Sequence, residues 1–198
     1  TLLWVLDKTS TSMGGRHLRR WLNDSLIDSL EINRRLNAVK ELKENIMLRG
    51  DLVEALKKVY DIERLAGKMA YGNANARDMI TLKNSLYKLP EVKQALSNCQ
   101  TELLKDINEN LDELKDIHEL IDKAIVDDPP MTIKDGGIIK LGYDPEIDTL
   151  KTAQIEGKNW LIQLELEERE KTGIKNLKVG FNKVFGYYLE VTKSFLDQ

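Results

Sequence analysis

Residues 91–130 read EVKQALSNCQTELLKDINENLDELKDIHELIDKAIVDDPP. Val92, Leu96, Cys99, Leu103, Ile107, Leu111, Leu114, Ile121 and Ile125 recur at steps of three, four and seven. Such steps, close to heptad spacing, put these side chains on one side of a helix. The spacing predicts a long helical seam with a break near Ser97 to Thr101. Asp127-Asp128-Pro129-Pro130 ends it, because proline lacks an N–H and disfavours helix in the residue before it. A stretch of this length and period sets the class as mainly α.

Toward the N-terminus the same period continues. Asn75 caps a predicted helix carrying Met79, Leu82 and Leu86, which stops near Pro90. Leu52, Leu56, Val59, Ile62, Ala66 and Met69 predict a helix that follows Gly50-Asp51 and ends at Gly72-Asn73. Asp28 with Glu31 has capping-box spacing and opens a helix whose apolar face is Ile32, Leu36, Val39 and Ile46. Thr11 or Ser12 caps another, with Met13, Leu18, Trp21 and Leu22 inward. Gly14-Gly15 in its first turn costs about 1 kcal/mol per glycine, so close packing against a neighbour is expected there. The apolar run Leu2 to Leu6 reads as a buried strand or an extended lead-in.

Toward the C-terminus the period changes twice. Thr132-Ile133-Lys134, Asp135-Gly136-Gly137 and Ile138-Ile139-Lys140 predict a small β-hairpin. Asp144 then caps a helix with Pro145 at its first position and Glu146 and Asp148 favouring its positive end. This helix runs to about Lys171, with Ile147, Leu150, Trp160, Leu161 and Leu164 inward and Thr172-Gly173 as its stop. Leu177, Val179 and Phe181 alternate with polar or small residues, as do Phe185, Tyr187, Leu189 and Val191 around a turn near Asn182-Lys183. They predict a C-terminal β-hairpin. Two strands alone are marginal, so further strands are expected beyond Gln198, and both chain ends read as cut from something longer.

Composition excludes several classes. The 198 residues are 41% hydrophobic and 32% charged, too apolar for disorder, and no apolar run approaches the ~20 residues of a membrane span. Cys99 is the only cysteine, which fits a reducing compartment rather than a disulfide scaffold. The first residues lack the basic start and cleavage site of a signal peptide. His17 and His118 share no metal-ligand spacing with each other or with Cys99. Gly67-Lys68 and Gly157-Lys158 lack the remainder of a phosphate loop. Asp144, Glu146 and Asp148 are explained by capping, and no nucleophile–base–orienter set is present. The chain is therefore expected to carry no catalytic site, cofactor or metal.

Formal net charge is −3, so any nucleic-acid contact must be local. Arg16, Arg19, Arg20, Arg34 and Arg35 read as a solvated or inter-domain face. Lys175, Lys178, Lys183 and Lys193 frame the C-terminal hairpin, with Tyr187 and Tyr188 between them. Two readings stand for it: a solvated strand face, or a positive ribbon that grips phosphates without reading bases.

The run from Thr172-Gly173 to Ser194, TGIKNLKVGFNKVFGYYLEVTKS, resembles the start of the clamp in the bacterial MutS family of DNA mismatch repair proteins. Thr9 to Trp21 resembles that family's KTxTxMGGRxL segment, Tyr60 to Ala66 its YDIERL motif, and Gly72 to Asp78 its GxANARD turn. Leu89-Pro90, Asp127 to Pro130, Gly136 to Ile139 and Gly142 to Asp148 follow in order, so the resemblance covers nearly the whole chain. It implies a helical core and lever over 1–172 and the beginning of a DNA clamp over 173–198. The clamp would hold duplex DNA by its backbone, with Lys175, Lys178, Asn182, Lys183 and Lys193 as contact residues. The lever would link it to distant ATPase domains, and ATP and Mg would bind elsewhere in the full-length protein. The resemblance further implies a homodimer in the bacterial cytoplasm, associated with the nucleoid, with duplex DNA and the protein's other domains as partners. No Phe-x-Glu occurs, so the family's mismatch reader is not in this stretch. Relatives without a clamp would not continue into the Phe185 to Thr192 run. The alternative is a helical scaffold for protein interaction without DNA contact.

Overall fold

Short side chains with a free oxygen set most of the helix starts. The computed structural model describes residues 2–192, and the chain divides into two compact units, Thr1–Lys140 and Leu141–Gln198. The first unit is helical: α1 (Leu2–Leu6), α2 (Ser12–Asn23), α3 (Ser29–Glu44), α4 (Ile46–Lys57), α5 (Ile62–Ala70), α6 (Ala76–Leu86), α7 (Leu89–Leu96), α8 (Glu102–Asn110) and α9 (Lys115–Ala124). Thr11, Asp28, Asn45, Asp61 and Asn75 each accept a hydrogen bond from a backbone N–H in the first turn that follows. Each such bond satisfies a donor that the helix itself leaves unpaired. At Asn75 the cap is reciprocal, since the Asp78 carboxylate accepts from the Asn75 N–H.

Two apolar clusters hold this unit. Ala38, Leu48, Leu52, Ala55, Val59, Val92, Leu96, Cys99 and Leu104 form one. Leu65, Leu82, Leu86, Leu89 and Ile121 form the other. Two clusters explain why the predicted seam is not one helix. Its first break falls where expected, between α7 and α8. A second lies at Leu111–Leu114, because Leu111 packs on the first cluster and Leu114 on the second. Leu114 turns the chain there with φ 50, and its N–H donates to Asp112 Oδ1.

Other boundaries depart from the periodic reading. α3 stops at Asn45, whose side chain caps α4, so Gly50-Asp51 lies inside a helix rather than between two. The face of α3 that is buried carries Ala38, while Leu36 and Val39 are exposed. The predicted helix over 52–69 is cut by the Asp61 cap. Pro90 is near the start of α7, where no N–H is needed. Leu2–Leu6 is a short exposed helix, neither strand nor lead-in.

The small hairpin predicted over 131–141 is not formed. Thr132 and Asp135 close a capping box around a 3-10 turn, Ile133–Asp135. The second half of the segment pairs elsewhere: Val126 N donates to Ile138 O, Lys140 N donates to Ala124 O, and Ile125 bridges Ile139 antiparallel. The chain's own end of α9 offers that edge, and it outcompetes a local hairpin.

The second unit consists of α10 (Pro145–Thr172), β1 (Lys178–Asn182) and β2 (Gly186–Glu190). Asp144 caps α10 by accepting from the Glu146 and Ile147 N–H groups, and Gly173 closes it in the left-handed conformation. At 28 residues the helix is about 42 Å long. Leu150 and Trp160, expected inward, are exposed, while Ile147, Leu161 and Leu164 are half-buried. Among the described residues of its own unit, α10 packs mainly on β1, which is too little partner surface to bury an apolar face along its length.

Candidate nucleic-acid interface

The hairpin is a two-stranded antiparallel ribbon in the register Lys178↔Glu190, Val179↔Leu189, Gly180↔Tyr188, Phe181↔Tyr187 and Asn182↔Gly186. Alternation sorts it into two faces. Val179, Phe181, Tyr187 and Leu189 share one, where the Phe181 and Tyr187 rings lie 5.0 Å apart. Lys178, Gly180, Asn182, Tyr188 and Glu190 share the other. The Tyr188 ring lies across Gly180, where a Cβ would come within 2.7 Å of it, so a larger residue there would have to push the ring aside. Gly186, at φ 79, brings the chain out of the turn.

The root of the ribbon is tied to α10 by an ion pair that hydrophobic periodicity does not reveal. Glu165 and Arg169, one helical turn apart, meet at 2.5 Å. Arg169 Nε donates to Leu177 O at 2.7 Å, and the Val179 N–H donates to Glu165 Oε2 at 2.9 Å. Val179 thus points its N–H away from β2 and onto the helix. Ile174 and Leu177 are buried beneath this contact. The i, i+4 Glu–Arg spacing is a visible signal, but nothing in it says which backbone groups the pair will satisfy.

Lys175 precedes β1, Lys178 begins it, and Lys183 sits in the turn; all three are exposed, and among the described residues none of them is in an ion pair. Asn182 has a local task, since its Oδ1 accepts the Val184 N–H at 2.8 Å and shapes the turn. Lys193 lies outside the described residues. Over 173–192 three lysines stand against Glu190 alone, a net +2 in a chain of net −3. Unpaired lysines on a ribbon of this sign can meet phosphates as point charges.

The early arginines are placed differently. Arg16 grips Asp61 through both terminal nitrogens, at 2.6 and 2.8 Å, and also reaches Glu63. Its guanidinium holds both carboxyls below the usual carboxylate range. Arg34 pairs with Asp106, and Arg35 lies 4.1 Å over the Trp21 ring. These three are engaged within the unit, which leaves Arg19 and Arg20 on its surface.

The other residues singled out by sequence have structural explanations. Gly14 and Gly15 pack against Thr9, Thr11 and Asp7, at distances a Cβ would crowd, which is the close approach expected of them. His17 lies against Trp21 and His118 against Tyr87. Cys99 is buried, and burial pushes its thiol up. Among the described residues no cluster of His, Cys, Asp and Glu is suited to a metal ion, and no helix is long and apolar enough to cross a membrane.

The family described as MutS domain III matches residues 1–192. The chain belongs to that family. Domain III is the lever and core region of MutS. Relatives named DNA mismatch repair protein MutS include those of Ruminiclostridium cellulolyticum, 57% identical over 197 residues, and Clostridium kluyveri, 56% identical over 197 residues. That of Acetivibrio thermocellus is 54% identical over 198 residues. Each match covers 100% of this chain but 23% of the relative, so the MutS domain III described here spans under a quarter of the proteins it matches.

Proposed function

We propose that this MutS domain III serves in DNA mismatch repair as a non-catalytic lever that carries the beginning of a DNA clamp. Residues 1–172 form the core and lever, and residues 173–198 begin the clamp. The clamp holds duplex DNA by its backbone through Lys175, Lys178, Lys183 and Lys193, with Asn182 setting the turn that carries Lys183. The observation that carries this reading is the hairpin itself: net positive, with unpaired lysines, and bonded at its root to a 28-residue helix.

The long helix suits transmission, because packed helices shift as rigid bodies while their interfaces repack. In the full-length homodimer α10 links the clamp to the ATPase domains, which bind ATP and Mg outside this stretch. The protein works in the bacterial cytoplasm on the nucleoid, and its partners are duplex DNA and its own remaining domains.

Fluorescence anisotropy with matched and mismatched duplexes, across a range of salt, tests the proposal on a chain extended through the rest of the clamp. Equal and salt-sensitive binding to both duplexes is expected, since phosphate contacts carry no base information. No binding at low salt would favour a helical scaffold without DNA contact.

A further inference from the structure

Lys83, on α6, is the one charged residue among the described residues that is buried. It sits beside Leu82 and Leu86 of the second apolar cluster. Its Nζ is 2.8 Å from Asp127 Oδ1 and 3.1 Å from Asp122 Oδ1. Lys140 Nζ approaches the same two oxygens at 3.7 and 3.6 Å. Two ammonium groups and two carboxylates therefore form a neutral quartet. The hydrogen bond to Asp127, helped by that to Asp122, keeps the Lys83 ammonium protonated against its burial.

The quartet joins three separate segments: α6, the end of α9, and the extended 138–140 segment bridged to 124–126. Arg77, also on α6, donates from Nε to the carbonyl of buried Pro129 at 3.0 Å. The loop over 127–137 is thus closed at its neck and held to α6 at two places. Lys140 stands five residues before Pro145, the first residue of α10.

Burying a lone lysine costs several kcal/mol unless it is paired. An apolar side chain of similar length would fill the same space without that cost. Packing alone therefore does not call for a charge at this position. α6 and α9 are already packed together through Leu82, Leu86 and Ile121. What the charge adds is a tie from α6 to Asp127 at the neck of the loop and, through the shared carboxylates, to Lys140. We infer that the Lys83 quartet is the anchor that fixes the chain to the helical unit immediately before it enters α10, and that Lys83 is a positioning residue for any movement α10 carries. This rests on the proposal that α10 transmits between clamp and ATPase.

The test uses the full-length mismatch repair protein and the rate of ATP-triggered release from a labelled duplex. Lys83→Met removes the inner ammonium and leaves two adjacent carboxylates with Lys140 alone. Release should slow by roughly 2- to 30-fold, the span that residues along a coupling route produce. Lys83→Arg should restore it. A purely structural role would lower the unfolding temperature of Lys83→Met and leave the release rate unchanged, which would overturn the inference. Ile155→Pro, in the middle of α10, separates the two levels of the claim. If Ile155→Pro blocks release and Lys83→Met does not alter it, the anchor alone is wrong. If Ile155→Pro leaves release unchanged, the transmission reading fails and the anchor falls with it. Should Lys83→Met not fold, Lys140→Met decides, because it removes only the outer ammonium: slower release supports the anchor and an unaltered rate refutes it.

Discussion

Glu165→Ala should loosen the hairpin from α10 while leaving both elements formed. Alanine is the best helix former, so α10 does not lose by the change. What disappears is the acceptor for the Val179 N–H, at 2.9 Å, and the carboxylate that steadies Arg169 against Leu177 O. A hydrogen bond to a charged group contributes about 1.5–3 kcal/mol. The Glu165 side chain retains 26% of its exposure, and solvent screening brings the expected loss to about 1–2 kcal/mol. Because Val179 faces away from β2, its amide is protected by Glu165 rather than by the ribbon. Hydrogen–deuterium exchange at Val179 should therefore rise about 5- to 30-fold, the rate equivalent of that loss. The Gly180 amide, within the ribbon, serves as the control. Unchanged exchange at Val179 would show that the helix does not hold the strand, and that the hairpin is carried in some other way.

Three further outcomes follow from the same geometry. Ser85, fully buried, donates to Thr81 O and accepts the Tyr60 N–H at 3.1 Å; Ser85→Ala should cost about 1–2 kcal/mol in urea unfolding, since it strands a part-buried donor. Gly186→Ala should cost about 1–2 kcal/mol of hairpin stability, read as faster amide exchange across β2, because φ 79 is unfavourable for a residue with a Cβ. Arg16→Met should destabilise the first unit at neutral pH and lose that effect in acid. The Asp61 and Glu63 carboxyls are depressed in the folded state by Arg16, so their contribution is present above the ordinary carboxylate pKa and is lost as pH falls from about 4 toward the folded values. Denaturation midpoints of the two proteins should converge over that window.

Much of the helical frame was legible because capping is local. Thr11, Asn75, Asp144 and Gly173 act on residues within one turn of themselves, and each does in the structure what its sequence context implied. The C-terminal ribbon was legible for the same reason, its alternation being a property of consecutive residues. The misread boundaries required knowledge of what lies across the fold. Asn45 and Asp61 look like ordinary polar positions inside a periodic run until their side chains are seen on the next helix. The seam over 91–126 keeps one period, yet Leu111 and Leu114 serve different clusters. The 131–141 segment carries hairpin residues, but its better partner is the end of α9.

The candidate interface divides along the same line. That Lys175, Lys178 and Lys183 frame a ribbon could be read from spacing. That Asn182 is engaged in its own turn, that Glu165 and Arg169 secure the root, and that Arg16, Arg34 and Arg35 have internal partners depend on side-chain positions that no periodicity encodes. Lys83 is the clearest instance. It stands next to Leu82 on a helix with nothing local to mark it, and only the approach of Asp122 and Asp127 from another segment makes its burial tolerable.

If the hairpin lysines meet DNA phosphates, duplex binding must depend on salt through them. The most direct test is the salt dependence of duplex binding by the full-length protein with Lys178 and Lys183 both replaced by alanine. Removing one lysine–phosphate pairing should lower the slope of log affinity against log salt by about 0.9. A backbone-gripping clamp predicts a slope reduced by nearly 2 for the double replacement, with matched and mismatched duplexes affected alike. An unchanged slope would place these lysines away from the DNA and contradict the clamp reading.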